Sequence, residues 1–157
     1  MDNVAMQQRV ADFLAQKRVA VLGVSHSQDN TGTGILRKFL THGKVAFGVN
    51  PTGGAVDGAP LYPHVADIPG GVDAAVLVVH PKDALAAVKD CEAAGVTRLW
   101  FHDNTWMTGS SSAPALEYAE ARGMIVIPNG CPMMHLEPDV AHACMHWVLQ
   151  KTGRLEM

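Results

Sequence analysis

Val19-Ala20-Val21-Leu22-Gly23-Val24, followed at once by Ser25-His26-Ser27-Gln28-Asp29-Asn30-Thr31-Gly32-Thr33-Gly34, decides how the rest of the chain is read. The first six residues are a short, nearly continuous apolar run, the pattern of a strand covered on both faces. The next ten are polar and interrupted by glycine. Ile35, Leu36, Phe39 and Leu40 then fall at helical spacing, up to a stop near Gly43. A buried strand, a polar turn and an amphipathic helix in that order form the opening of a βαβ unit, and parallel strands need such crossovers.

Working outward, the same alternation recurs. Upstream, residues 3–16 place Val4, Val10, Phe13 and Leu14 on one side of a helix. Downstream, Val45 to Val49 is a second strand, stopped by Asn50-Pro51-Thr52-Gly53-Gly54. Further strands are expected over 73–79, 97–101 and 124–127. Between them lie helices over 81–94, with Asp83 as cap and Gly95 as stop, and over 112–122, with Pro114 in the first turn and Gly123 at the end. A closing helix is expected over 139–150, ended by Gly153. The pattern predicts an α/β fold: a Rossmann-type doubly wound parallel sheet with helices on both faces and strand order 3-2-1-4-5, one domain across residues 1–157.

Composition narrows the function. With 48% hydrophobic and 17% charged residues among 157, one core suffices without a metal or disulfide staple. A net charge of −3 offers no basic footprint for nucleic acid. A phosphorylated small ligand is still compatible, because backbone N–H groups hold phosphate without net positive charge. The three cysteines, Cys91, Cys131 and Cys144, form neither a C-x-x-C pair nor a disulfide framework, which points to a reducing compartment. Met1-Asp2-Asn3-Val4 does not read as a signal peptide, and apolar runs such as Ala74 to Val79 fall far short of the roughly 20 residues that span a bilayer. The expectation is a cytoplasmic protein with no membrane or nucleic-acid partner, its oligomeric state open.

In a doubly wound sheet the ligand lies beyond the carboxyl ends of the strands, so the loops after each strand are the candidate site. Gly23 ends the first strand, and Ser25, Ser27, Thr31 and Thr33 cluster before the next helix. N–H groups at that helix start, with hydroxyls around them, suit a pyrophosphate; the plainer alternative is a polar turn that caps the helix. A dinucleotide fingerprint is absent, because Val24-Ser25-His26-Ser27-Gln28 breaks the G-x-G-x-x-G spacing. The second strand ends in Asn50-Pro51, where an NAD site places an acidic residue and an NADP site an Arg.

The segment Arg18 to Asn50, with Pro51-Thr52-Gly53, resembles the stand-alone coenzyme A-binding proteins, which are similar to the nucleotide-binding domain of the succinyl-CoA synthetase α subunit. Gly23-Val24-Ser25-His26-Ser27-Gln28 looks like that family's pyrophosphate loop. Val72 through Pro81 looks like its fourth strand, and Pro128-Asn129-Gly130-Cys131-Pro132 resembles the synthetase's Pro-Asn-Cys-Pro turn with Gly130 inserted. The resemblance implies a protein that binds coenzyme A (CoA) or an acyl-CoA without catalysis of its own. Gly23, Ser25, His26, Ser27, Gln28, Gly32 and Thr33 would hold the pyrophosphate, and Asn50 and Pro51 would shape the nucleotide pocket. Val79, His80 and Pro81, with Phe101, His102 and Asp103, would line the far side. A side chain at Gly23 would then invade the pyrophosphate space and cost binding more than folding. Some relatives carry a Lys near the second-strand turn where this chain has Thr52-Gly53-Gly54. The synthetase also has a further domain with a phosphorylated His that 157 residues do not hold, so ligase activity is not implied.

Other residues admit two readings. His80 and His102 contact the ligand or are ordinary loop groups. Asp103 accepts from a ribose or amide group, or forms a turn with Asn104. Cys131 is a nucleophile only if a His meets it in space; a turn thiol is the simpler reading. His142 and His146 share a helix face near His135 and Cys144, but lack the H-E-x-x-H glutamate, so no metal site is expected. Trp100, Trp106 and Trp147 read as core or interface, and Met133-Met134 as packing or an acyl-chain wall. The alternative function is a small enzyme acting on an acyl-CoA or a nicotinamide dinucleotide through Cys131, His80 or His102. A regulatory module that uses CoA as a signal is a third.

Overall fold

The computed structural model describes residues 3–103 and 109–136. The helix expected over 139–150, and with it His142, Cys144, His146 and Trp147, lies outside them, as does Trp106. The described elements are helix α1 (Asn3–Ala15), strand β1 (Arg18–Leu22), α2 (Thr31–Thr41), β2 (Val45–Val49), the short β3 (Ala55–Val56) and β4 (Ala59–Pro60), β5 (Ala74–Leu77), α3 (Ala84–Ala93), β6 (Arg98–Phe101), α4 (Ala113–Ala121) and β7 (Ile125–Ile127).

Five strands form one parallel sheet in the order β2-β1-β5-β6-β7. β3 and β4 make a separate antiparallel pair. Alternation along each strand sends side chains to two cores. Val19 and Val21 pack with Met6, Val10 and Phe13 of α1 and with Ile35, Leu36 and Phe39 of α2. Ala20 and Leu22 face the other way, onto Val65, onto Val88 and Cys91 of α3, and onto Ala115 and Ala119 of α4. Helices therefore cover both faces, as the apolar strand runs required.

The strand order departs from the expected 3-2-1-4-5. The third strand of the main sheet, β5, does not extend the sheet beyond β2; it inserts beside β1, with Val19 in register with Ala74 and Leu22 with Leu77. Burial gives the reason. Ala74, Ala75, Val76 and Leu77 are all fully buried, as a central strand must be, whereas Val45, Ala46 and Phe47 of β2 are only half-buried, as befits an edge. No helix joins β2 to β5 to carry the chain outward; the connection holds only the β3–β4 pair and a 3-10 turn at Val65–Asp67 that packs under α3.

The start of α3 also differs. Asp83 makes no capping bond. The helix is entered through a 3-10 turn, Pro81–Asp83, and the His80 ring accepts from the Lys82 N–H at 3.3 Å. Proline at the head of this turn fixes the φ the turn needs, and its missing N–H costs nothing there.

Candidate functional site

α2 follows β1 onto one face of the sheet and α3 follows β5 onto the other, so the topological switch point falls between β1 and β5. A cleft of about 460 Å³ opens there. Its walls are the ends of β1 (Leu22, Gly23, then Ser25 and Asn30), of β2 (Val49, Asn50, Pro51) and of β5 (Val79, His80), closed by Pro63, His64 and the first turns of α3.

The floor is made by backbone approach. Gly23 has φ +94°, and a Cβ there would stand 2.0 Å from the Val78 carbonyl oxygen. A Cβ at Gly32, in the first turn of α2, would stand 2.6 Å from the Gly23 carbonyl oxygen. Both glycines thus serve strand-to-strand and helix-to-strand packing. The expectation that a side chain at Gly23 would harm binding more than folding is corrected: the space it would enter is filled by the Val78 backbone, just past the end of β5.

The polar residues of this wall bind one another. Asn30 is the N-cap of α2; its amide donates to Gly23 O at 2.9 Å, and its Oδ1 accepts from Thr33 N at 2.9 Å and Thr33 Oγ1 at 3.0 Å. Ser25 Oγ accepts from the N–H groups of Ser27 and Gln28 at 3.3 and 3.4 Å. Asn50 Nδ2 donates to Val24 O at 2.9 Å, while its Oδ1 accepts from Thr52 N and Thr52 Oγ1. His26 Nε2 lies 3.2 Å from Thr52 Oγ1. Behind the loop, Arg37 grips Asp57 with Nε at 2.8 Å and Nη2 at 2.9 Å, and Asp29 with Nη1 at 2.7 Å. This holds the Asp57 carboxyl below its usual range and commits the guanidinium.

On the opposite wall, His64 Nδ1 meets Asp90 Oδ1 at 2.9 Å, and Asp90 Oδ2 accepts from Val65 N at 2.9 Å. Asp83 and Asp90 both line the cleft, and among the described lining residues there is no Lys or Arg. A second cavity of about 470 Å³ adjoins the first, sharing Asn30, Val79 and His80, and continues to Asp29, Thr31, His102 and Ser110.

The candidate residues named from sequence separate accordingly. Gly23, Ser25, Asn50, Pro51, Val79 and His80 meet in the first cleft, and His102 joins Val79 and His80 in the second. His26, Ser27 and Gln28 are exposed on the loop and line neither cavity. Gly32 and Thr33 are buried behind the wall, and Phe101 is fully buried in the core under α3 and α4. Pro81 heads the turn before α3, and the Asp103 N–H donates to Gly130 O at 3.0 Å. Trp100 is a core residue whose Nε1 donates to Asn129 O at 3.0 Å. Met134 is buried in the α1–α2 core, with Met133 packed against it. Cys131 is buried too, its thiol pushed up to about 11 by burial, so it carries little thiolate at neutral pH. Sequence reasoning missed Asn30, although an Asn three residues before Thr33 is an ordinary cap signal. It also missed His64, Asp90 and Ser110, which reach the site only through tertiary contacts.

A doubly wound parallel sheet with a cleft at the switch point defines a Rossmann-type domain. The particular kind follows from comparison: the profile of the CoA binding domain family matches residues 17–137, and the chain belongs to that family. It is 32% identical over 144 residues to acetate–CoA ligase (ADP-forming) I of Archaeoglobus fulgidus, covering 88% of this chain but 21% of the ligase. A hypothetical protein of Pyrococcus horikoshii superposes with a TM-score of 0.70 at 25% identity, over 87% of this chain and 92% of that one. The dinucleotide-forming acetyl-coenzyme A synthetase 1 of Candidatus Korarchaeum cryptofilum superposes with a TM-score of 0.58 at 30% identity, over 71% of this chain and 25% of the synthetase. Among the described residues no helix is long and apolar enough to cross a membrane, and no group of His, Cys, Asp or Glu is placed to hold a metal ion.

Proposed function

We propose that this chain binds coenzyme A or an acyl-CoA in the cleft between β1 and β5, and that it does so without chemistry of its own. The observation that carries the reading is the position of the cleft, at the carboxyl ends of β1, β2 and β5 and beside the first turn of α2. With no Lys or Arg among the described lining residues, the pyrophosphate sits beside Ser25 and Asn30, at the positive end of the α2 dipole. The adenosine half lies on the β2 side, against Pro51 and Pro63. Against catalysis by the obvious candidates stand the protonated, buried Cys131 thiol and the buried His102 ring, whose pKa burial pushes down to about 4.

Calorimetric titration with CoA, acetyl-CoA, NAD and NADP tests the binding. Micromolar binding of the two CoA ligands alone is the expected result, and binding of NAD without CoA overturns the reading. The absence of chemistry is tested by following thiol release from a panel of acyl-CoAs. Turnover that Cys131→Ala or His102→Ala abolishes would make the protein an enzyme.

A further inference from the structure

The α3 wall of the first cleft carries a histidine whose ring polarity is set by a neighbour. The His64 backbone is pinned at the head of the 3-10 turn: its N–H donates to Asp67 Oδ2 at 3.1 Å, and its carbonyl accepts from Asp67 N at 3.1 Å. The ring is held from α3, where Asp90 Oδ1 meets Nδ1 at 2.9 Å while Asp90 Oδ2 accepts from Val65 N at 2.9 Å. A carboxylate accepts and does not donate, so the proton of the neutral ring sits on Nδ1 and Nε2 keeps a lone pair. The His64 side chain is 64% exposed although its Nδ1 is engaged, and both His64 and Asp90 line the cleft. His80, the other imidazole of the lining, has the opposite polarity: its Nδ1 accepts from Lys82 N at 3.3 Å, which puts the proton of the neutral ring on Nε2.

The cleft is therefore divided electrically. Asn30 marks the positive end of the α2 dipole on one wall, and Asp83 and Asp90 stand on the other. Phosphates are drawn to the first wall and kept from the second, which suits an uncharged group with N–H donors. Pro51 and Pro63 offer a flat ring apolar contact, but such contact is alike for every base; choice comes from a few placed polar groups. His64 directly follows Pro63, so a base against Pro63 has its edge beside the His64 ring. We propose that His64, set by Asp90, accepts a hydrogen bond from the exocyclic amino group of the bound coenzyme's adenine and makes the cleft selective for a 6-aminopurine. The inference rests on the CoA reading. It adds the residue that reads the base and the one that fixes its polarity. Asp90 acts as a positioning residue; no covalent bond is made or broken.

The test is calorimetry at about pH 8, where an ordinary imidazole is neutral. It compares CoA with an analogue whose purine carries hydrogen in place of the amino group. The wild-type protein is expected to bind CoA about five- to tenfold more tightly, the effect of one hydrogen bond. His64→Phe is expected to bring the ratio to near one. Asp90→Asn is the sharper variant. The Val65 N–H still needs an acceptor and takes the amide oxygen, so the amide NH2 faces His64 Nδ1 and donates to it. The ring proton then moves to Nε2, which opposes the amino group, and the ratio falls to one or below. A merely structural role of the pair would weaken both ligands alike and leave the ratio unchanged. A wild-type ratio near one, or a ratio that persists in either variant, overturns the inference while leaving CoA binding intact. Should Asp90→Asn fail to fold, the wild-type ratio and His64→Phe decide. Failure of the wild type to bind either compound overturns the CoA reading, and this inference with it.

Discussion

The loop after β1 and the segment after β6 stand on the same edge of the sheet and treat their polar groups in opposite ways. After β1, Asn30, Ser25 and Asn50 spend their side chains on neighbouring backbone, and Gly23 and Gly32 let that backbone close up. After β6, the His102 ring is sealed in with a nitrogen unmet among the described residues. The first wall is built whether or not a ligand is present. The second holds a buried side-chain nitrogen that no described residue meets.

The sharpest way to break this contrast is at Gly23. Alanine there meets the Val78 carbonyl and a left-handed φ together, so Gly23→Ala should lose about 4 kcal/mol or more of stability, read by urea denaturation. A variant that folds normally and merely fails to bind would restore the ligand-facing role of this glycine. Next in size is the pH dependence of His102. Its folded pKa lies near 4, below the ordinary 6.5, so the unfolded chain takes up a proton first as pH falls. The stability present above about pH 6.5 is lost progressively down to about pH 4, by at most about 3 kcal/mol from this group. His102→Gln should remove that part of the loss between pH 7 and pH 4. Equal losses in wild type and variant would show that the ring is not buried as described.

Smaller effects belong to the first wall. Asn30→Ala removes the cap of α2 and should cost about 1–2 kcal/mol. Ser27 is exposed and, among the described residues, its side chain bonds to the Ser25 hydroxyl, so Ser27→Ala should change stability by less than about 0.5 kcal/mol. If Ser27→Ala cost as much as Asn30→Ala, the loop's own hydrogen bonds would be less local than they look.

How far the sequence can be read follows from which forces are local. Strands and helices were legible because burial on both faces writes continuous apolar runs, and Gly43, Gly95 and Gly123 punctuate the helix ends. The strand order was not, because it depends on where β5 docks after a connection without a helix, and no residue between 50 and 73 encodes that choice by itself. The same limit applies to the site. Gly23, Ser25, Asn50, Pro51, Val79 and His80 could be named because each follows a strand, and the sheet brings strand ends together. Nearness to a strand end did not distinguish Phe101, the last residue of β6, which packs into the core, from His102, one residue on, which lines a cavity. Nor did it find the His64–Asp90 pair, whose members lie on different elements and meet only in the folded chain.

The central claim is that the ligand occupies the cleft at the switch point. The direct measurement is an amide chemical-shift map of the protein titrated with CoA. The account predicts that Gly23, Ser25, Asn50, Val79 and His80 shift together and saturate with one affinity. Shifts confined instead to the smaller apolar groove beside β2, at Leu40, Phe47 and Tyr62, with the β1 and β5 ends unmoved, would contradict it.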